Sequence, residues 1–243
     1  MKMTDVKAVI TGAASGLGAA TARHFRAQGA QVTILDREDA TTVASEIGAR
    51  CREVDVTDEA QVAAVLDDAA DNMGGLNVAI NCAGIATAEK TLGRDGPHAL
   101  ASFRRTVDIN LVGSFNIARL AAARMDHGGV IINTASVAAF DGQKGQAAYA
   151  ASKAGITGLS LPMARDLARQ GIRLMAIAPG SFWTPMVDGM PEHIQEALGA
   201  SIPFPSRLGK PEEFAELAAH IVENGYFNGE TIRLDGAVRL QPK

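Results

Sequence analysis

The chain has 243 residues, 47% hydrophobic and 21% charged, with a formal net charge of -4. That is enough apolar material for the core of one large α/β domain, and slight acidity without a dense basic run argues against nucleic acid or an anionic membrane as the main partner. Apolar runs such as Val130-Ile131-Ile132 and Leu174-Met175-Ala176-Ile177-Ala178 are strand-sized, too short to span a membrane.

Met1-Lys2-Met3-Thr4-Asp5-Val6 leads straight into an apolar strand, leaving no stretch for a signal or transit peptide, so a cytoplasmic protein is expected. Lys7–Thr11 reads as a short buried strand, and Gly12-Ala13-Ala14-Ser15-Gly16-Leu17-Gly18 follows at once. A helix then runs to about Gln28, with Leu17, Ala20, Thr21 and Phe25 at helical spacing. In a strand, turn and helix of this kind, glycines let backbone approach a pyrophosphate held at the helix N-terminus. The spacing is G-x-x-x-G-x-G rather than G-x-G-x-x-G, and alone it could equally be a plain turn.

Gly29 ends the helix, and Gln31–Asp36 forms the next strand, whose terminal carboxylate falls 18 residues after Gly18, about where a ribose-binding acid is expected. Asp36 would accept hydrogen bonds from the adenosine ribose and repel a 2′-phosphate, so NAD is expected rather than NADP. Arg37 could hold such a phosphate, but the adjacent Asp36 opposes it electrostatically. The structural alternative for Asp36 is a cap on a helix beginning near Glu38.

A helix through Val43 and Ile47 leads to a strand over 49–54, after which Asp55-Val56-Thr57-Asp58 turns into a helix over Glu59–Met73. Asp55 and Val56, at a strand's carboxyl end, are placed to meet the adenine; the alternative is an N-cap cluster, and Asp58 reads as one. Residues 77–81 form a fourth strand ending in Asn81-Cys82-Ala83-Gly84. With strand order 3-2-1-4, Cys51 and Cys82 lie three spacings apart, roughly 14 Å, too far for a disulfide. They carry no metal spacing and read as inert buried thiols. A polar loop over 85–97 precedes a long helical stretch from about 101 to 124, which contains the unfavourable mid-helix Asn110.

Residues 130–134 are a fifth strand followed by Ser136, and residues 173–177 are a sixth, broken by Pro179-Gly180. Residues 181–206 hold Phe182, Trp183, Met186, Met190, Leu198, Ile202 and Phe204 among prolines and glycines, the composition of a substrate lid or of an oversized surface loop. A last helix begins at Pro211, and Thr231–Leu234 is a seventh strand. No repeat or low-complexity linker divides the chain, so one domain over 1–243 is expected, a Rossmann-type doubly wound parallel α/β sheet of about seven strands with helices on both faces.

Tyr149 and Lys153 stand four residues apart, which on a helix places a phenol and an ammonium on one face. For the phenol to exchange a proton near neutrality its pKa must fall by about 3 units, roughly 4 kcal/mol, and a nearby cation is the means. Alone, the pair is an ordinary amphipathic helix pair. It gains meaning from the dinucleotide turn, from Ser136 thirteen residues before Tyr149, and from strands ending at the same sheet edge.

With these residues placed, the chain resembles the short-chain dehydrogenase/reductase family over essentially its whole length. The pattern rests on Thr11-Gly12-x-x-x-Gly16-x-Gly18, Asn81-x-Ala83-Gly84, Asn110, Ser136, Tyr149-x-x-x-Lys153 and Pro179-Gly180. Within the family, Asn133-Thr134-Ala135-Ser136-Val137-Ala138-Ala139-Phe140, the segment from Ile202 to Gly209 and the segment from Asn228 to Ala237 resemble type-2 3-hydroxyacyl-CoA dehydrogenases, also named type 10 17β-hydroxysteroid dehydrogenases. The resemblance implies hydride transfer between a secondary alcohol and NAD. Tyr149 would be the general acid and base, Ser136 would bind the substrate oxygen, and Lys153 would lower the Tyr149 pKa and bind the nicotinamide ribose. Asn110 would distort its helix and hold a water joining Lys153 to solvent. It further implies cofactor contacts at Gly12, Ser15, Gly16, Leu17, Gly18, Asp36, Asp55, Val56, Asn81, Cys82, Ala83, Gly84, Pro179, Gly180, Phe182 and Thr184, and a substrate contact at Gln143.

Two departures stand out: Met125-Asp126-His127-Gly128-Gly129 is shorter than in the animal members of the subgroup, and Trp183 replaces a small residue. The resemblance also implies a homotetramer packed through the helices that carry Asn110 and Tyr149. Ala118, Leu120, Ala121, Ala122, Ala151, Ala154 and Gly155 would supply small, apolar surface for it, or would face the protein's own sheet. An acyl-CoA substrate would need cations at the mouth, for which Lys90, Arg94, Lys144, Arg207 and Lys210 are candidates or simply solvated charges. The competing readings are an NAD-dependent dehydrogenase of another secondary alcohol (steroid, cyclic alcohol or polyol) and a dinucleotide sensor that kept the fold without catalysis.

Overall fold

Strand and helix alternate as the apolar pattern predicts. The structure is a computed structural model that describes residues 1–189 and 191–242; Met190 and the side chain of Met186 lie outside the described residues. β1 (Lys7–Thr11), β2 (Gln31–Asp36), β3 (Arg50–Glu53), β4 (Val78–Asn81), β5 (Gly129–Thr134), β6 (Ile172–Pro179) and β7 (Thr231–Leu234) form one sheet in the order β3-β2-β1-β4-β5-β6-β7. Every pairing is parallel. β6 runs two residues beyond the expected end because Ala178 and Pro179 stay in register with Arg233 and Leu234 of β7.

A parallel sheet needs helices on both faces, and its central strands are apolar on both. Ala8, Ile10, Val130 and Ile132 pack with Phe25 of α1 (Gly16–Ala27), Val43 of α2 (Thr41–Ile47) and Phe214 of α9 (Pro211–Glu223). Val9, Ala79 and Ile131 pack on the other face with Leu66 of α3 (Glu59–Met73), Ile117 of α5 (Gly113–Ala122) and Met163 of α6 (Ala147–Asp166). Asp58 caps α3 as expected, its carboxylate accepting from Gln61 N.

The structure refines four expectations. The long helical stretch divides into α4 (Leu100–Val107), a π-helical turn Asp108–Val112 centred on Asn110, the distortion that the resemblance implies there, and α5. Residues 181–206 are not a plain loop: α7 (Pro185–Asp188) and α8 (Glu192–Ala200) form within them, Val187 of α7 and Leu198 of α8 packing in an apolar cluster with Ile202, Leu208 and Val238. Ala118 and Ala121 are fully buried against the protein's own sheet, whereas Ala151 and Ala154 are exposed. Both cysteines are free and of intermediate exposure as residues, though the Cys82 thiol itself is buried; Cys51 is on β3 and Cys82 just past β4, with β2 and β1 between them as expected. Among the described residues no helix is long and apolar enough to cross a membrane.

Candidate active site

The strand order reverses between β1 and β4, and ligands bind parallel sheets in the crevice that opens there at the carboxyl ends. The glycine turn lies on that edge. Gly12 has φ +65°, and a Cβ at this position would lie 2.5 Å from Ala83 N, so the two turns meet backbone to backbone. Ala83 N donates to Thr11 Oγ1 at 3.1 Å, locking that contact. Ser15 gives the first turn of α1 no side-chain cap, which leaves its amides for an anion. These features fit a dinucleotide pyrophosphate.

Asp36 ends β2 with both carboxylate oxygens fixed by backbone: Ala14 N donates to Oδ2 at 2.8 Å and Glu38 N to Oδ1 at 3.0 Å. The helix expected near Glu38 begins instead at Thr41, so Asp36 caps no helix and braces the glycine turn. Asp55 Oδ1 accepts from both the amide and hydroxyl of Thr57, which holds its carboxyl below the ordinary value. A cavity of about 470 Å³ opens here, lined by Arg37, Asp55, Thr57, Arg104, Arg105 and Asp108 among others. Val56 is buried behind it.

At the ends of β4, β5 and β6 the second half of the site assembles. Asn110 is fully buried; its Oδ1 accepts from Ile85 N at 2.8 Å, and its Nδ2 donates to Ile85 O and to Ser152 Oγ at 3.0 Å. The π-turn turns this amide inward, and a single asparagine thereby pins the loop after Gly84 to α6. Ser152 Oγ in turn donates to Tyr149 O. Lys153 is 5% exposed and donates from Nζ to Thr134 O at 2.8 Å; the same Nζ lies 5.9 Å from the Tyr149 ring centre. Gly84 faces both Asn110 Oδ1 and Lys153 Nζ.

Electrostatics here departs from expectation. Burial pushes the Tyr149 phenol above its ordinary value, and a hydrogen bond with Ser136 only partly offsets this. Burial also pulls Lys153 down to about 8. Desolvation is the largest cause at both groups, and the ammonium is turned to Thr134 O. Beside them burial pushes the Cys82 thiol up to about 11, so it is no nucleophile.

The structure thus brings Asn110, Ser136, Tyr149 and Lys153 together, with Asn81, Ala83 and Gly84 on the facing turn. It does not bring Phe182 to the cleft. That ring is 7% exposed, packed in the core and against Gly209. Thr184 does lie beside Gly16. Gln143 donates from Nε2 to Gln241 O at 3.0 Å, facing the C-terminal segment. Arg207 is taken up by Glu213 through two bonds of 2.8 and 2.7 Å, which remove it from the candidate cations. Sequence reasoning missed Thr134, whose backbone carbonyl holds Lys153, and Ser152, which joins Asn110 to the Tyr149 turn. A backbone acceptor leaves no trace in residue type, whereas Ser152 lay inside the Y-x-x-x-K stretch.

The family described as "Enoyl-(Acyl carrier protein) reductase" matches residues 12–238. The chain is 52% identical to 3-hydroxyacyl-CoA dehydrogenase type-2 of Bos taurus over 249 aligned residues, covering 97% of this chain and 95% of the relative. It is 50% identical over 248 to the protein of that name in Drosophila melanogaster, covering 96% of this chain and 97% of the relative. The crystal structure of 3-hydroxyacyl-CoA dehydrogenase type-2 from Mycobacterium avium matches with a TM-score of 0.92 at 42% identity, covering 97% of this chain and 96% of that one. Likeness at this level across the full cleft makes the chain an oxidoreductase that uses a nicotinamide cofactor, and it belongs to the short-chain dehydrogenase/reductase family.

Proposed function

We propose that this protein is an NAD-dependent dehydrogenase interconverting a 3-hydroxyacyl-CoA and a 3-ketoacyl-CoA. The observation that carries the reading is the convergence of Asn110, Ser136, Tyr149 and Lys153 at one sheet edge, in a chain half identical to dehydrogenases of that name. It works as one catalytic domain over 1–243 with a lid at about 181–206. NAD is favoured by Asp36 at the end of β2, whose backbone-braced carboxylate would repel a 2′-phosphate. Reductases that take acyl-carrier-protein substrates generally use NADPH, and the same carboxylate disfavours them.

The bound nicotinamide supplies the carbon that takes or gives hydride and, when oxidised, a positive charge near Tyr149. In reduction, the Tyr149 hydroxyl donates its proton to the substrate oxygen as charge develops there. The phenol's pKa lies above its ordinary value, so that hydroxyl carries its proton at neutral pH. Ser136 donates a second hydrogen bond to the same oxygen. Lys153 has three donors and uses one on Thr134, leaving two for ribose hydroxyls. Asn110 holds the proton path from Lys153 to solvent through a water. In oxidation the roles reverse, and Tyr149 takes the alcohol proton.

Lys90, Arg94 and Lys144, exposed on the loops beside the cleft, serve the phosphates of CoA. An apolar groove of about 380 Å³ between Leu111, Val112 and Phe115 on one side and Gly155, Gly158 and Leu159 on the other supports assembly as a homotetramer. We place the protein in the cytoplasm, where its free cysteines stay reduced.

NADH oxidation with acetoacetyl-CoA, run beside NADPH and beside a simple cyclic ketone, tests the reading. Turnover with NADH and the thioester supports it. Turnover with the ketone alone keeps Tyr149 and Lys153 in their roles and moves the substrate to a steroid, cyclic alcohol or polyol, the reading that Trp183, 42% exposed at the start of the lid, would favour. A large preference for NADPH refutes the cofactor assignment.

A further inference from the structure

The seventh strand ends in a charge cluster that the chemistry above does not use. Arg233 Nη2 donates to Asp141 Oδ2 at 2.6 Å, and Nε donates to Asp235 Oδ2 at 2.8 Å. The side chains of Arg233, Asp141 and Asp235 are 21%, 18% and 8% exposed, so solvent screens these pairs little. The guanidinium carbon lies 5.1 Å from the centre of the Phe140 ring, and Nη2 also reaches Val238 O at 3.1 Å. A second cation, Arg239, balances the two carboxylates, its Nη1 lying 3.1 Å from Asp235 Oδ2.

The partners belong to two segments, the 137–146 loop and the C-terminal tail, and the tail reaches further elements of the cleft. Asp141 sits on the 137–146 loop, which begins just after Ser136 and runs into the helix carrying Tyr149. Val238 packs with Val187, Ile202 and Leu208 of the lid region, and Phe204 N donates to Gly236 O at 3.3 Å. Gly180 admits the tail closely: a Cβ there would come within 2.9 Å of Asp235 Cα. One guanidinium therefore joins the loop before Tyr149 to the C-terminal tail, and the tail in turn packs against the 185–208 region and the Pro179-Gly180 turn. A partly buried ion pair of this kind is no better a stabiliser than apolar packing of equal volume. What the planar fork adds is fixed geometry between the segments it bridges.

We infer that Arg233 is a positioning residue: it holds the 137–146 loop and the lid in one register, so that substrate clamped by the lid presents its oxygen to Ser136 and Tyr149. The kinetic readout of this inference rests on the function proposed above; its structural readout does not.

The test compares the full-length protein with its Arg233→Gln, Arg233→Lys and Asp141→Asn variants, using hydrogen exchange with NADH bound and steady-state reduction of acetoacetyl-CoA. In Arg233→Gln, exchange should quicken in both 137–146 and 185–208 while 12–18 keeps its protection. Its kcat/KM should fall by about 100-fold, the scale of a ~1 Å misplacement, with NADH affinity within about twofold. Arg233→Lys should recover part of the loss, since an ammonium can serve only one of the two carboxylates in that geometry. Asp141→Asn, which keeps the Arg233–Asp235 pair and the tail, should loosen 137–146 alone. Faster exchange confined to 231–242 with unchanged kcat/KM overturns the inference, as does a silent Asp141→Asn. If the unmodified protein reduces no acetoacetyl-CoA, the proposed substrate fails, and the exchange pattern still decides the role of Arg233.

Discussion

Lys153 is 5% exposed, and burial pulls its ammonium from 10.5 down to about 8. A shift of about 2.5 units corresponds to roughly 3 kcal/mol of destabilisation wherever both folded and unfolded chains carry the proton, below pH ~8. Between pH 8 and 10.5 the unfolded chain binds more protons than the folded one, so this penalty fades as pH rises and is gone above 10.5. Lys153→Met removes the charge at similar volume, and also loses the bond to Thr134 O, worth about 1 kcal/mol. The variant should therefore be inactive yet more stable than the parent at pH 7, by about 1–2 kcal/mol. Its advantage should shrink from pH 8 upward and vanish or reverse near pH 10. Urea unfolding of both proteins without dinucleotide, across that range, measures the difference directly. A variant less stable than the parent at pH 7, or a gap that does not close with pH, refutes the reasoning.

Tyr149→Phe removes only the hydroxyl; turnover should drop by about 10²–10⁴, the usual worth of a positioned acid or base, with dinucleotide titrations unchanged, and near-normal turnover would return the sensor reading. Gly12→Ala should abolish NADH binding and lower the thermal midpoint, because the new methyl has no room against Ala83 and φ there is +65°; normal fluorescence titration with NADH would show the turn to be unrelated to the cofactor. Asp36→Asn should move the ratio of kcat/KM for NADH over NADPH toward NADPH by about tenfold or more, and an unmoved ratio would take cofactor choice away from Asp36.

Where local chemistry decides structure, the sequence was readable. The strand, glycine turn and helix at Lys7–Ala27, the acid ending β2 and the capped α3 came out as expected because caps, glycines and apolar periods act within a few residues. The site residues were legible as types at a spacing, yet the work that several of them do was not. Asn110 reads as an odd helix residue that, by resemblance, distorts its helix, but its bond to Ile85, 25 residues away in sequence, is not legible. Phe182 reads as a cleft aromatic, but Gly209 leaves room for its ring in the core. The helices α7 and α8 were hidden by prolines and glycines, and their apolar side chains pack with Val238 from the far end of the chain. The bond from Arg233 to Asp141 spans 92 positions, beyond any periodicity. The protonation of Tyr149 and Lys153 depends on burial, a tertiary quantity that an i, i+4 pair cannot reveal.

Deuterium transfer tests the central claim most directly. NADH labelled with deuterium at the reactive carbon is mixed with acetoacetyl-CoA and the protein, and the product is weighed by mass spectrometry. The account predicts 3-hydroxybutyryl-CoA carrying one deuterium on the hydroxyl-bearing carbon, formed by the intact protein and about 10²–10⁴ times more slowly by Tyr149→Phe. Product without the label, or none at all while a free ketone becomes labelled, contradicts the proposed reaction.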